Sequence, residues 1–229
     1  MCKYIVLTLM LMPLFLCGQS NNSNEIDSNY LEDQIYLGIN YNFMLDYPED
    51  VLKRNFSYGL QGGIIKDIPI NISRTLAVGL GIGYAVNSYY SNLISDEQSG
   101  EIVYSVATDD SFYSRSKFET HSIELPLELR WRNSTPTKYK FFRIYSGVKI
   151  AYNFSARSKL VADSGNIGFK NSDIEKLQYG LQCNLGYNTF NLHVYYSLNN
   201  FLKDGAKVEA TGNNINIKPL RVGVIFYLL

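Results

Sequence analysis

No stretch of this 229-residue sequence stays apolar for the roughly 18 to 20 residues that a membrane-spanning helix needs. The longest apolar run, Ile5 to Cys17, stops at about 13. Any crossing of a membrane must be made by strands. Charge is scarce as well: 18% of residues, balanced at 21 Lys+Arg against 21 Asp+Glu, which excludes a basic surface built for nucleic acid. Cysteine is limited to Cys2, Cys17 and Cys183. The first two fall in the leading segment, so only Cys183 is expected to remain and no internal disulfide can form. Against these shortages stand 19 Tyr, 12 Phe and 17 Gly, an aromatic-rich β composition that rules out disorder as the main state.

The amino-terminal residues have the layout of a secretory signal: Lys3, an apolar core containing Pro13, then Gly18 before the polar Gln19 to Asn24. The expected organisation is a signal peptide over 1–18, cleaved near Gly18 or Gln19, a flexible acidic periplasmic lead-in over 19–33 and one barrel domain over 34–229. Cys17 after Leu14-Phe15-Leu16 admits a lipoprotein reading, which the bulky Leu16 opposes.

From residue 34 onward apolar residues recur at every second position in segments of about 10 to 14 residues, the period of strands. Eight such segments follow one another. The first sets Ile35, Leu37, Ile39, Tyr41 and Phe43 against Tyr36, Gly38, Asn40 and Asn42, and the third sets Leu76, Val78, Leu80, Ile82, Tyr84 and Val86 against Gly79, Gly81, Gly83 and Ala85. In the fourth, His121, Ile123, Leu125, Leu127, Leu129 and Trp131 oppose Ser122, Glu124, Pro126, Glu128, Arg130 and Arg132. The last opposes Leu220, Val222, Val224, Phe226 and Leu228 to Arg221, Gly223, Ile225 and Tyr227.

Connections alternate in length, short at about 67–75, 133–138 and 187–190, long at about 45–55, 91–116, 156–172 and 199–216. This predicts an all-β, eight-stranded antiparallel transmembrane β-barrel of the porin type, with short periplasmic turns and longer external loops. A soluble lipocalin-like barrel with its apolar face inward is the alternative. The small residues of the non-greasy face oppose it, since a cramped lumen suits Gly and Ala better than a water-facing surface does. Aromatics near strand ends suggest two girdles: Tyr41, Phe43, Tyr89, Tyr90, Tyr152 and Phe154 at the loop side, Trp131, Phe142, Tyr187, Phe190 and Phe226 at the turn side.

The strings THSIELPLELRWRNSTPTKYKFFRIYSGVKIAY (120–152), LQYGLQCNLGYNTFNLHVYYSLN (177–199) and PLRVGVIFYLL (219–229) resemble the PorT-type outer-membrane proteins of the Bacteroidetes type IX secretion system. The resemblance runs from about residue 34 to the carboxyl terminus. It implies a barrel needed for exporting cargo proteins and carries no catalytic motif. The loops at 91–116 and 156–172 share no string with that family.

The candidate site is a lumen ionic cluster of Glu124, Glu128, Arg130 and Arg132 on the fourth strand and Arg143 and Lys149 on the fifth. Adjacent antiparallel strands place these charges side by side in an interior just wide enough to be filled by side chains, so they are expected to pair as a structural plug. A conducting or regulated path lined by them is the alternative reading. No metal or cofactor is expected, because His121 and His193 share no motif with Cys or acidic ligands. A hydrolytic trio of His121, Ser122 and Glu124 fails on geometry, because the first two are adjacent and point to opposite faces. Gly79-Leu80-Gly81-Ile82-Gly83 lies inside a strand with no helix after it, so it is no phosphate loop. Loop 91–116 is acidic at Asp96, Glu97, Glu101, Asp109 and Asp110, either as solvated charge or as a surface for a partner or divalent cation.

The expected function is therefore a non-enzymatic outer-membrane component assisting type IX secretion without being the conduit. Its expected partners are outer-membrane lipid and other secretion-system proteins, with no nucleic acid. The alternative is a small OmpA-like structural or adhesion barrel with ligand-binding external loops.

Overall fold

In a computed structural model the described residues are 33–48, 51–53, 55–98, 100–107, 113–133, 141–162 and 165–228. The signal segment, nearly all of the lead-in, the tip of the 133–138 turn, and Asp109 and Asp110 lie outside them. Among the described residues there are eleven strands: β1 (Asp33–Leu45), β2 (Tyr58–Pro69), β3 (Leu76–Ser91), β4 (Leu93–Gln98), β5 (Glu101–Val106), β6 (Tyr113–Arg132), β7 (Phe142–Ala162), β8 (Gly165–Lys170), β9 (Leu177–Tyr187), β10 (Phe190–Ser197) and β11 (Lys218–Leu228). Eight of them close a cylinder in the order β6-β3-β2-β1-β11-β10-β9-β7, with β7 returning to β6. Every pairing in the cylinder is antiparallel. The chain is thus a closed eight-stranded barrel, and β4, β5 and β8 are built from the long connections.

Alternation puts the oily side chains outside. Leu80 is 56% exposed, Leu127 46% and Val224 37%, and neighbours such as Ile35, Ile64 and Leu181 continue a belt around the wall. Water-soluble monomers rarely show a contiguous apolar patch above several hundred Å². A belt of this extent requires hydrocarbon, which overturns the soluble alternative. The inner face carries Asn40, Gln61, Asn87, Glu124, Lys149, Asn184 and their neighbours, all buried.

Short turns and the β1 and β11 ends share one rim. Between β2 and β3, Asn71 organises the turn: its side chain donates to Ser73 and Thr75 and accepts the Leu76 amide at 3.0 Å, while Arg74 adopts φ +53°. Between β9 and β10, Tyr187 pairs with Phe190 across a two-residue loop whose first position, Asn188, has φ +56°. Asn tolerates that left-handed conformation better than other residues with a side chain. Close packing of the wall against its contents shows at Gly83, where an added Cβ would stand 2.0 Å from the Tyr36 hydroxyl. Proline in an interior strand also leaves a mark. Pro126 has no amide to give, and the β3–β6 ladder is interrupted between Leu80↔Leu127 and Gly83↔Glu124.

The long connections differ from simple loops. β6 and β7 run 20 and 21 residues, about twice what a membrane crossing needs, so their outer halves project beyond it as a paired ribbon extended by β8. A β-bulge, where His121 pairs with Ser155 and Ser122 with Asn153, leaves Phe154 unpaired and flips the parity of β7. Asn153 faces in before the bulge, and Ala156 and Ser158 face in after it. Around the projecting mouth the other connections fold into a hydrophobic cap of Val51, Leu93, Tyr104, Ile174, Phe201, Leu202, Val208, Ile215 and Ile217, packed on Met44, Tyr89 and Phe118 from the strands. Tyr89, expected in the outer girdle, faces inward and packs at a tilt against Phe201, ring centroids 5.1 Å apart. Tyr152 and Phe154 face out at that level, and Trp131, Phe142, Tyr187 and Phe190 do so at the turn rim.

Candidate functional site

Strand parity aims the lumen charges, and barrel closure decides which of them meet. Glu124 on β6 accepts a hydrogen bond from Arg221 of β11 at 2.7 Å and makes an ionic contact with Lys149 of β7 at 2.9 Å. Lys149 also donates to Gln61 of β2 at 2.8 Å. Four residues along β6 toward the periplasm, Glu128 contacts Arg130 at 3.0 Å and accepts from Gln182 at 2.8 Å and Asn184 at 3.0 Å. Because the Asn184 amide donates to Glu128, its oxygen faces His193 Nδ1 at 2.5 Å, and that nitrogen carries the proton. Asp67 of β2 is clamped between Arg130 and Arg132. Three carboxylates therefore face four cations, all within 3% of full burial.

Aromatic faces complete the neutralisation. The Arg130 guanidinium lies 3.9 Å from the Tyr145 ring centroid and 4.9 Å from that of Tyr227, and Arg221 lies 4.5 Å from Tyr195. A gap of about 10 Å³ beside Tyr36, Glu128, Lys149, Gln182 and Tyr227 is at the limit of holding a single water.

Of the six residues expected to cluster, five join this network. Arg143 stands apart at the turn rim, donating to the Asn188 carbonyl and lying 4.5 Å over Phe141. Two members were missed. Asp67 lies in what the sequence pattern assigns to the 67–75 turn, whereas β2 continues to Pro69. Arg221 sits on the polar side of the last strand, but only closure brings it across the lumen to Glu124, 97 residues away. Both signals were present as inward parity. His121, Ser122 and Glu124 do not converge: His121 faces out and contacts the Tyr84 hydroxyl at 2.6 Å, while Ser122 and Glu124 face in.

The external cap has its own polar anchor. Tyr104 of β5 accepts from Asn171 at 3.1 Å and lies 3.3 Å from Asp173, its backbone carbonyl holds the Glu209 amide at 2.8 Å, and it bridges to Val208. Burial pushes its hydroxyl above the ordinary tyrosine range, and does the same to Tyr47. An open cleft of about 460 Å³ lies beside it, between Ile102, Asp173, Lys203, Lys207 and Glu209. Among the described residues no group of His, Cys, Asp or Glu is arranged to hold a metal ion. The acidic Asp96, Glu97 and Glu101 sit on the β4–β5 hairpin at the surface of the cap.

No curated protein matches the chain. Among solved structures it is similar to Ail, the attachment invasion locus protein of Yersinia pestis, at 10% sequence identity and a TM-score of 0.36, over 86% of this chain and 98% of that one. The family described as "Outer membrane protein beta-barrel domain" matches residues 18–203. With most of its length inside that match and an apolar belt around a closed wall, the chain belongs to the outer membrane β-barrel domain family and resides in the bacterial outer membrane.

Proposed function

We propose that this protein is a non-enzymatic, non-conducting barrel that assists type IX protein secretion by supporting assembly or function of the translocon. The observation that carries the mechanical half of this reading is the filled lumen. A lumen crossed by the ion pairs of Asp67, Glu128 and Arg130 and of Glu124, Lys149 and Arg221, and closed outside by Phe201 and its neighbours, passes neither a folded protein nor a hydrated solute. A barrel that cannot conduct acts through what it presents, and here that is the folded cap. Glu124 is held between Lys149 and Arg221, which is how a structural ion pair is built.

The secretion half is supported by the resemblance of 120–152, 177–199 and 219–229 to PorT-type proteins. Its partners are then other secretion-system proteins, met at the cap or the periplasmic rim. Deleting the gene and assaying exported cargo in the medium tests this: cargo should accumulate inside the cells, and the intact gene should restore export. The OmpA-like adhesion reading draws on the ordered cap, and it predicts normal export with loss of surface binding. An enzyme acting on lipids would instead change the lipid A or phospholipid species of the deletion strain.

A further inference from the structure

The outer wall of the projecting ribbon carries two like-charged pairs placed directly opposite each other. Lys117 of β6 is paired in register with Lys159 of β7, and Arg157 of β7 with Lys170 of β8. Like charges across a ladder are destabilising unless something neutralises them. Arg115 flanks the first pair across a niche of about 80 Å³ lined also by Tyr90 and Val161. Glu119, directly opposite Arg157 across β6 and β7, forms an ion pair with Lys117 and so offsets only part of this charge. Arg115, Arg157, Lys159 and Lys170 are exposed, and among the described residues no carboxylate lies within ion-pairing distance of them. Five cations and one carboxylate thus share one face.

The depth of this face in the membrane is fixed by the belt below it. On β6 the outward side chains Trp131, Leu129, Leu127, Leu125 and Ile123 face lipid. Along a strand tilted by about 40°, each residue climbs about 2.5 Å, so a band of about 25 Å that begins at Trp131 ends near His121. Arg157 and Lys170 then stand about 5 Å beyond the hydrocarbon, and Lys117 and Lys159 about 10 Å, which is the layer of lipid headgroups. Tyr84, Tyr152 and Phe154 mark the interface just beneath.

We propose that this face is a binding site for a phosphorylated glycolipid of the outer leaflet, with lipid phosphates seated between Lys117 and Lys159 and between Arg157 and Lys170. The phosphates supply the negative charge the ribbon lacks, and the acyl chains run down the belt beside Ile123 and Tyr152. The site lies outside the lumen and apart from the 460 Å³ cleft of the cap. It therefore stands or falls independently of any role in secretion.

The test uses the full-length protein in a neutral maltoside detergent, with native mass spectrometry and thermal unfolding as readouts. The probes are bisphosphorylated lipid A, the same lipid with its phosphates removed, and inorganic phosphate. Bisphosphorylated lipid A should be retained as a discrete adduct and raise the unfolding temperature, and the other two probes should do neither. The variant R157Q/K159Q should weaken retention tenfold or more, and R115Q/K170Q should do so on intact ribbon partners if the first variant folds poorly. K203Q/K207Q, on the cap, should bind as the parent does. Equal retention of the dephosphorylated lipid, an equal shift with inorganic phosphate alone, or parental affinity in both basic-face variants would overturn the proposal.

Discussion

Replacing Glu124 by Gln removes one negative charge that two buried cations share. Lys149 keeps its bond to Gln61 at 2.8 Å, and Arg221 keeps the Tyr195 face at 4.5 Å, so neither cation is left without any partner. Uncompensated buried charge still costs about 3 to 5 kcal/mol when one member of a pair is removed. With those residual contacts we expect about 4 kcal/mol, close to a thousandfold in the folding equilibrium. Urea unfolding of the barrel reconstituted in vesicles, with an m of about 2 to 3 kcal/mol/M, should then show the midpoint fall by about 1.3 to 2 M. The sharper half of the experiment is the double variant E124Q/K149M. Removing a cation along with the anion returns the lumen to the parent's excess of a single cation, so the double variant should be more stable than E124Q alone, with a coupling of 1 kcal/mol or more. A single variant within about 0.5 kcal/mol of the parent, or a double variant less stable than the single, would refute the idea that these groups neutralise one another in a dry lumen.

Leu127→Arg places a charge near the middle of the lipid-facing belt and should cost about 2 to 4 kcal/mol in the same unfolding assay, whereas a change within error would place that face away from hydrocarbon. Phe201→Ala empties the contact with Tyr89 and Phe118, and a loss of about 3 to 5 kcal/mol confined to the cap should expose the 198–217 connection to protease while the barrel keeps its heat-modifiable mobility on gels. Burial raises the Tyr104 and Tyr47 hydroxyls above their ordinary value near 10, so the folded cap holds those protons more tightly than the unfolded one. Cap stability should be full below about pH 10 and fall as pH rises beyond it, as read by protease nicking, and Tyr104→Phe should flatten that fall.

How far residues alone reach is set by which interactions are local. Alternation is a property of each strand, so the eight crossings, their oily face and the inward aim of Glu124, Glu128, Arg130 and Lys149 can be read by counting in twos. Arg221 could be aimed in the same way but not matched to Glu124, because their contact exists only once β1 and β11 close the wall. Asp67 was lost to an overlong turn, since Pro69 and Asn71 read as punctuation two residues too early. The outer half of β7 is hidden from the period because the bulge at Phe154 reverses which parity faces in, and the outer half of β6 because its outward positions carry Arg115, Lys117 and Glu119 in place of apolar residues. The cap is the least legible part. Val51, Leu93, Phe201, Leu202 and Ile215 follow no period, and only their convergence over the mouth makes them a core.

Conductance of the purified full-length protein in planar bilayers addresses the filled lumen directly. With the network of Asp67, Glu124, Glu128, Arg130, Lys149 and Arg221 in place and Phe201 over the mouth, the parent protein should give no stable current steps at moderate voltage. Reproducible steps of porin size from that protein alone would mean that the lumen is open and would contradict the account.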